Sequence, residues 1–128
     1  MLSLLLLLML PGSENAFFKG TFEEAMKLAQ ETGKPVVVDV YTDWCGPCRM
    51  MDRTTFRDKK VMALFKDRVI AVKVNAEKGN GPKIAREYKV RAYPSFLILD
   101  KDGVVKTRQV GFQKANEFVA WVKAELDK

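Results

Sequence analysis

The two cysteines of the 128-residue chain, Cys45 and Cys48, lie three positions apart in the stretch Trp44-Cys45-Gly46-Pro47-Cys48. An apolar run precedes this stretch, and a helix-compatible sequence follows it. We therefore predict that Cys45 lies at the start of a helix, where unpaired backbone N–H groups and the helix dipole favour thiolate over thiol. Cys48 follows one helical turn later on the same face, close enough to form a disulfide with Cys45. The spacing predicts a redox-active dithiol.

Two structural roles for the cysteine pair compete with this prediction. A disulfide that closes so short a loop stabilises a fold little compared with one that closes a long loop. A zinc site typically needs four ligands from Cys and His, and the chain has two Cys and no His. The redox dithiol is therefore favoured, and we expect neither a metal nor a bound cofactor.

Composition and charge are those of an ordinary globular domain, with 48% hydrophobic and 30% charged residues. The length predicts one domain with a single core. The formal net charge is +6, but the Lys and Arg residues are scattered along the sequence. We therefore expect a solvated basic surface and no nucleic-acid partner, because nucleic-acid binding needs cations clustered on one face. We also expect a monomer.

The hydrophobic pattern around the motif predicts an α/β fold. Val36–Tyr41 is apolar apart from Asp39 and does not alternate, as expected for a strand covered on both faces. Val69–Asn75 is a second apolar strand, which would pair in parallel with the first. Ser95–Leu99 and Val104–Val110 flank a tight-turn sequence and predict an antiparallel hairpin. Five helices are expected. The first follows the capping box Thr21–Glu24, the second runs from Cys45 to about Thr54, and the third follows Asp58. The fourth runs from Gly81 to about Tyr88, and the fifth lies near the C-terminus. The result is a mixed central sheet with helices on both faces.

Residues 1–16 are predicted to be a signal peptide or a membrane-proximal apolar segment, and residues 17–128 the folded domain. The first ten residues are almost all leucine, too few to span a bilayer but typical of the apolar part of a secretory signal. No Lys or Arg precedes Lys19, and Glu14 stands where a small residue is expected before cleavage after Ala16. We predict a periplasmic or otherwise exported protein, with a cytoplasmic or membrane-anchored protein as the alternative.

Three separated stretches resemble the thioredoxin superfamily, from about residue 17 to the C-terminus. The stretch from Val38 to Cys48 is similar to the active-site strand and motif of the family. Arg91-Ala92-Tyr93-Pro94-Ser95 is similar to the family's loop that holds a cis-proline beside the active site. Val110-Gly111-Phe112, before the last helix, is the third match. The resemblance implies a thioredoxin fold and a thiol:disulfide oxidoreductase.

Within that superfamily, Gly33–Val36 and Thr54–Asp58 look more like the C-terminal domain of the thiol:disulfide interchange protein DsbD and its single-domain relatives. The proline that kinks the active-site helix of thioredoxin has no counterpart between Arg49 and Thr55. The donor and the substrates do not follow from this resemblance, because relatives with the same core serve many partners.

Asp39 is the most informative acid, because a carboxylate in an apolar strand must be paired, hydrated or protonated. Lys73, on the adjacent strand, is expected to face it, and a plain ion pair is one interpretation. The resemblance implies instead that Asp39 accepts the proton of Cys48 during exchange. Asp52, one helical turn after Cys48, is expected either to raise a cysteine pKa by its negative charge or to be an ordinary exposed acid.

The resemblance implies that the peptide bond between Tyr93 and Pro94 is cis and that it lies beside a groove for an extended substrate peptide. Trp44 is expected either to cap the core or to shape the surface that contacts partners. Gly46 and Pro47 carry no chemistry and are expected to set the turn and the redox poise, since Pro47 suits the first turn of a helix.

These predictions together describe a reductase. It would pass electrons from a dithiol donor, such as a membrane reductase, to disulfides of partner proteins through Cys45 and Cys48. Cys45 is expected to be the exposed sulfur and Cys48 the shielded one. Two other classes remain open: a non-catalytic thioredoxin-fold binding module, in which the cysteines lock a recognition surface, and a redox-sensing regulator that changes partners on oxidation.

Overall fold

The computed structural model describes residues 15–128, so residues 1–14 of the predicted signal segment lie outside the described residues. The described residues form a four-stranded sheet with the order β2-β1-β3-β4. Its strands are β1 (Val36–Tyr41), β2 (Ile70–Asn75), β3 (Ser95–Leu99) and β4 (Val105–Val110). Strand β1 pairs in parallel with β2 and antiparallel with β3, and β3 pairs antiparallel with β4.

Strand β1 is central because its sequence tolerates burial on both sides. All its residues except Tyr41 are buried, and β-branched valine suits a strand that packs on both faces. The parallel register places Asp39 directly opposite Lys73 on β2. The chain leaves β1 at Tyr41 and enters the cysteine motif, so a buried interior strand positions the reactive residues.

Helices cover both faces of the sheet. They are α1 (Phe22–Thr32), α2 (Gly46–Arg53), α3 (Lys59–Asp67), α4 (Gly81–Glu87) and α5 (Ala115–Leu126), with a short 3-10 helix at Thr55–Arg57. Side chains of α1 and α4 share one core cluster with Val36 and Val38, whereas side chains of α2, α3 and α5 share the other with Val37. Successive strand residues point to opposite faces, so β1 contributes to both clusters.

Two helix starts follow the predicted capping. The Thr21 side chain accepts a hydrogen bond from the Glu24 backbone N–H, and the Glu24 carboxylate accepts one from the Thr21 N–H. Asp58 accepts hydrogen bonds from the N–H groups of Lys60 and Val61 at the start of α3. These local contacts satisfy backbone donors that a helix leaves unpaired at its N-terminus, and they confirm the predicted caps.

The predicted α/β class, with a mixed sheet and helices on both faces, is confirmed. Two strands begin one residue later than predicted. The Val69 N–H donates to Leu64 O and so belongs to the end of α3, and Val104 O accepts from the Asp100 N–H within the hairpin turn. Apolar pattern alone does not separate a strand's first residue from the turn before it.

The segment before α1 packs against the sheet side that carries α3. The Phe18 N–H donates to Ala71 O on β2 at 2.6 Å. The Phe17 ring lies edge-on to Phe56 and Phe65, with ring centroids 5.0 and 5.1 Å away. None of the helices within residues 15–128 is long and apolar enough to cross a membrane.

Candidate active site

The cysteine motif lies between the end of β1 and the first turn of α2. Cys45 is the N-cap residue of α2 in an extended conformation, and its Sγ accepts a hydrogen bond from the Cys48 N–H at 3.2 Å. Gly46 and Pro47 are exposed in the first turn. Proline has no backbone N–H, but an N–H at this position would have no partner within the helix. Cys45 and Cys48 form a disulfide with their Cα atoms 5.2 Å apart. The predicted placement of the first sulfur at a helix start is confirmed.

The expected difference in exposure between the two cysteines is absent from this disulfide-bonded form. Cys45 is 3% exposed and Cys48 is 4% exposed. The two sulfurs are bonded to each other within one turn, so they share one environment. They differ in position: Cys45 precedes the helix and receives an N–H donor, whereas Cys48 lies inside the first turn.

This position predicts the order of alkylation in the reduced protein. We expect iodoacetamide to modify Cys45 before Cys48, at a pH below the ordinary thiol value of about 8.5, because only Cys45 lies at the helix N-terminus. Brief labelling followed by peptide mass spectrometry measures the two rates. The Cys48→Ala variant should label as fast as the wild type and Cys45→Ser slowly; faster modification of Cys48 would contradict the assignment.

Asp39, Lys73 and Asp52 form a chain of charged groups that leads from the core to the surface. The Lys73 Nζ donates to Asp39 Oδ2 at 2.8 Å and to Asp52 Oδ1 at 2.7 Å. The Asp39 side chain is 3% exposed, Lys73 26% and Asp52 47%. The predicted contact between Asp39 and Lys73 is confirmed, and Asp52 shares the same ammonium group.

Burial dominates the electrostatics of this chain of groups. It raises the pKa of Asp39 from 3.8 to about 6, although the attraction of Lys73 opposes the shift. Burial lowers the pKa of Lys73, but Asp39 and Asp52 outweigh it and leave that pKa raised. Asp39 is therefore a carboxyl group that can change its protonation state near neutral pH, beside an ammonium group that stays charged.

Aromatic rings enclose the Lys73 ammonium group. Its Nζ lies 4.6 Å from the centroid of Tyr41, 5.1 Å from that of Phe17 and 5.5 Å from that of Phe56. Rings at this distance attract a cation through their negative faces. The rings add to the carboxylates in keeping Lys73 charged while it is largely withdrawn from water.

Two buried oxygens beside the motif have no protein hydrogen-bond partner. Within the described residues they are Asp39 Oδ1 and Thr42 Oγ1. Buried polar atoms are paired in most proteins, and exceptions occur where chemistry needs a free group. Side chains alternate along β1, so Asp39 points to the same face of the sheet as Val37, whose core cluster includes Met51 of α2. Within residues 15–128, no three His, Cys, Asp or Glu side chains are grouped so as to hold a metal ion.

Trp44 does not cap the core, because it is 63% exposed. Its Nε1 donates to Glu77 Oε1 at 3.0 Å, and its ring meets Tyr93 edge-on with centroids 6.0 Å apart. Glu77 was not among the predicted site residues. Nothing in the sequence links it to Trp44, which lies 33 positions away.

The Tyr93–Pro94 bond is cis, as predicted. The Gly111 N–H donates to Pro94 O at 2.8 Å, which brings the third matching stretch against the proline loop. The Tyr93 N–H and C=O make no hydrogen bond within the described residues. An extended chain could therefore pair with them.

The loop after β4 is held to α2 by contacts that the sequence did not reveal. The Gln113 N–H approaches Met51 Sδ at 3.4 Å, and its C=O accepts from Thr55 Oγ1 at 2.5 Å. Phe112, just before, is 41% exposed, and Met50 on α2 is 47% exposed. We call the side chains of Trp44, Met50, Tyr93 and Phe112 the contact patch, because they come from three segments that contact one another beside the cysteine motif.

Comparisons with known proteins agree with this geometry. The family model described as a thioredoxin-like domain matches residues 22–125. The chain is 37% identical over 116 residues to thioredoxin Y2, chloroplastic, of Arabidopsis thaliana, covering 91% of this chain and 66% of the relative. It is 33% identical over 106 residues to the thiol:disulfide interchange protein DsbD of Ralstonia nicotianae, covering 81% of this chain and 17% of the relative. The chain thus spans less than two thirds of the length of these relatives.

A solved structure is similar over most of the chain. The oxidised C-terminal domain of DsbD from Neisseria meningitidis superimposes with a TM-score of 0.68 at 29% identity, covering 84% of this chain and 97% of that domain. The family match spans most of the chain, and the matched residues include both cysteines and Pro94. This protein belongs to the thioredoxin-like family.

Proposed function

We propose that the protein is a thiol:disulfide oxidoreductase that reduces disulfides in partner proteins. The observation that carries the proposal is the disulfide between Cys45 and Cys48 at the N-terminus of α2, directly after the exposed side chain of Trp44. A disulfide kept only for stability has no need of an exposed tryptophan beside it. The relatives named thioredoxin and thiol:disulfide interchange protein support the same activity.

The reaction begins with the reduced protein. The Cys45 thiolate attacks one sulfur of the partner disulfide, so a Cys45–partner bond forms and the other partner sulfur leaves as a thiolate that takes a proton. The Cys48 thiolate then attacks Cys45 Sγ. The Cys45–Cys48 bond forms, and the second partner sulfur leaves. Two electrons and two protons have passed to the partner, and an external dithiol must restore the reduced form.

Asp39 is the proposed proton acceptor for Cys48. Its pKa of about 6 lets it hold either protonation state near neutral pH. Its Oδ1 has no protein partner, so that oxygen can receive the proton while Oδ2 stays bonded to Lys73. Asp52 is proposed to hold Lys73 in place from the solvent side and to add negative charge near the sulfurs.

Tyr93 and Pro94 are proposed to bind the partner segment that carries the disulfide. The unpaired N–H and C=O of Tyr93 can add an extended peptide in the manner of a new strand, while Trp44 and Phe112 contact its side chains. Pro94 O is already bonded to Gly111 N, so Tyr93 supplies the backbone pairing. Gly46 adds no side chain beside the attacking sulfur, and Pro47 adds no backbone N–H.

The partners and the location are part of the proposal. The leucine-rich start of the sequence supports an exported protein. We further propose that the protein is a monomer and receives electrons from a membrane reductase. A reductant in an oxidising compartment needs such a supply, because no soluble thiol pool there maintains it. The similarity to both DsbD and a chloroplast thioredoxin is compatible with more than one donor.

The redox potential tests the direction of electron flow. We expect a value within about 50 mV of the thioredoxin value of about −270 mV. The negative charges of Asp39 and Asp52 disfavour a thiolate and so limit the stability of the reduced form. Equilibration with glutathione buffers, read by alkylation and mass spectrometry, gives the potential. A value above about −180 mV would make oxidase or isomerase the better description.

Insulin reduction tests the activity itself. With dithiothreitol as donor, the wild type should accelerate insulin precipitation. A protein that binds partners but leaves insulin unreduced would be a non-catalytic binding module. One that reduces insulin slowly but changes its affinity for a partner on oxidation would be a redox-sensing regulator.

A further inference from the structure

The three segments that form the contact patch also carry cations beside their apolar residues. On α2, Arg49 and Arg53 are exposed and lie four residues apart on one helical face, and Arg53 also lies three residues after Met50. Arg91 precedes the Tyr93–Pro94 loop and Lys114 follows Phe112, and both are exposed. Arg49 directly follows Cys48, and Arg91 lies two residues before Tyr93, so positive charge borders both the cysteine motif and the proline loop in the chain.

The carboxylates of the same region are already engaged. Asp43, two residues before Cys45, accepts from Lys78 Nζ at 2.7 Å and from Asn75 Nδ2 at 3.0 Å. Asp52 is bonded to Lys73, and Glu77 accepts from the Trp44 indole. Asp43 and Asp52 are thus paired with lysines, whereas Glu77 has only the neutral indole N–H as a partner.

The cations around the patch have no such partners. None of Arg49, Arg53, Arg91 and Lys114 forms an ion pair with a carboxylate in the part of the chain that the structure describes. The Arg49 Nη1 donates to Asp43 O at 2.9 Å, which holds the guanidinium beside the residue before Trp44 and leaves its charge uncompensated. An arginine offers five donors, so others remain free.

From this asymmetry we infer that the protein selects partner proteins whose reactive disulfide is flanked by Asp or Glu side chains. The inference rests on the proposed function and names its substrate class. Arg49, Arg53, Arg91 and Lys114, here called the basic rim, attract and orient the acidic segment while the contact patch holds its apolar side chains. Complementary charge raises the rate of encounter and suppresses partners of the wrong sign.

A protein partner fits this surface better than nucleic acid or lipid. Within the rim Arg49 directly follows Cys48 in the chain, and only a thiol- or disulfide-bearing partner gains from being brought to the disulfide. The unpaired main chain of Tyr93 offers a donor and an acceptor to an extended peptide. The basic rim is therefore a specificity determinant of the exchange reaction.

Three synthetic peptides provide the test. They share one cystine ring and differ in the flanking residues, which are Glu, Gln or Lys. At low ionic strength the second-order rate constant with which the reduced wild type reduces the Glu peptide should be at least about tenfold above that for the Lys peptide. The preference should shrink towards unity in 1 M salt, where the Debye length is about 3 Å.

Two variants that remove equal charge isolate the rim. The rim variant replaces Arg49, Arg53, Arg91 and Lys114 by glutamine. The control variant replaces exposed cations that lie away from the motif: Lys27, Lys66, Arg68 and Lys123. The ratio of Glu-peptide to Lys-peptide rates should fall about tenfold in the rim variant and stay at the wild-type value in the control. Equal falls would assign the effect to net charge and overturn the inference.

The Gln peptide separates the inference from the proposed function. A wild type that fails to reduce any of the three peptides contradicts the proposed function. A wild type that reduces all three equally keeps the function and overturns the acidic-partner inference. Salt-sensitive binding of phosphatidylglycerol vesicles or a DNA oligonucleotide, lost in the rim variant without a change in peptide preference, would overturn it in favour of another anion.

Discussion

Replacing Cys45 by serine is expected to abolish disulfide reduction, lowering kcat/KM for insulin by at least about a thousandfold. The attacking group is the sulfur at the N-cap of α2, and a serine hydroxyl at the same place does not attack disulfides. The hydroxyl can still cap the helix by accepting from the Cys48 N–H, as Cys45 Sγ does. The loss therefore reports chemistry and not unfolding, which urea denaturation of the variant checks.

The Cys48→Ala variant is the matched control for this result. It keeps the attacking sulfur and removes the group that releases the partner, so it should accumulate one mixed disulfide per molecule in place of turnover. Mass spectrometry of cells that express this variant would identify the trapped partners. A Cys45→Ser variant that still reduced insulin, or a Cys48→Ala variant that trapped nothing, would contradict the assigned order of attack.

The largest pH effect is expected from Asp39→Asn, measured as the free energy of unfolding of the oxidised protein between pH 4 and pH 8. The pKa of Asp39 is about 6 in the folded state against an ordinary 3.8. Its contribution to stability is full below about pH 4 and is lost as the pH rises through 6. An asparagine does not titrate, so its contribution to stability does not fall as the pH rises. Relative to the wild type, the variant should gain about 3 kcal/mol between pH 4 and pH 8.

Lys73→Met should lower the free energy of unfolding at pH 7. It leaves the buried Asp39 carboxyl without its 2.8 Å partner, and a buried charge without a partner is strongly destabilising. The double variant Asp39→Asn/Lys73→Met should recover most of the loss, because it leaves neither charge buried. A stability difference between wild type and Asp39→Asn that is constant from pH 4 to pH 8 would show that Asp39 titrates normally.

The same Asp39→Asn variant tests the proton-acceptor proposal through a separate readout. Without the carboxylate, Cys48 loses its proton more slowly, and general-base contributions of this kind are about a hundredfold. The mixed disulfide at Cys45 should therefore persist longer near neutral pH, and the defect should diminish above pH 8.5, where the thiol ionises unaided. A purely structural Asp39 would change stability and leave this pH profile unaltered.

Local features of this protein follow from the sequence by itself. The caps of α1 and α3, the placement of Cys45 at a helix start and the α/β class depend on residues within a few positions of one another. Backbone sterics, capping hydrogen bonds and hydrophobic periodicity act over that range. The contact between Asp39 and Lys73 was also predictable, because two adjacent apolar strands each carry one charged residue at the matching place.

Other features were decided only by the tertiary structure. Asp52 shares Lys73 with Asp39, Phe17 covers the ammonium group, and Glu77 fixes Trp44 at the surface. Each contact joins elements far apart in the chain, so it depends on how helices and loops pack on the sheet. The burial of both cysteines and the uncompensated basic rim are of the same kind. Exposure and ion pairing follow from which surfaces meet, and sequence spacing does not encode that.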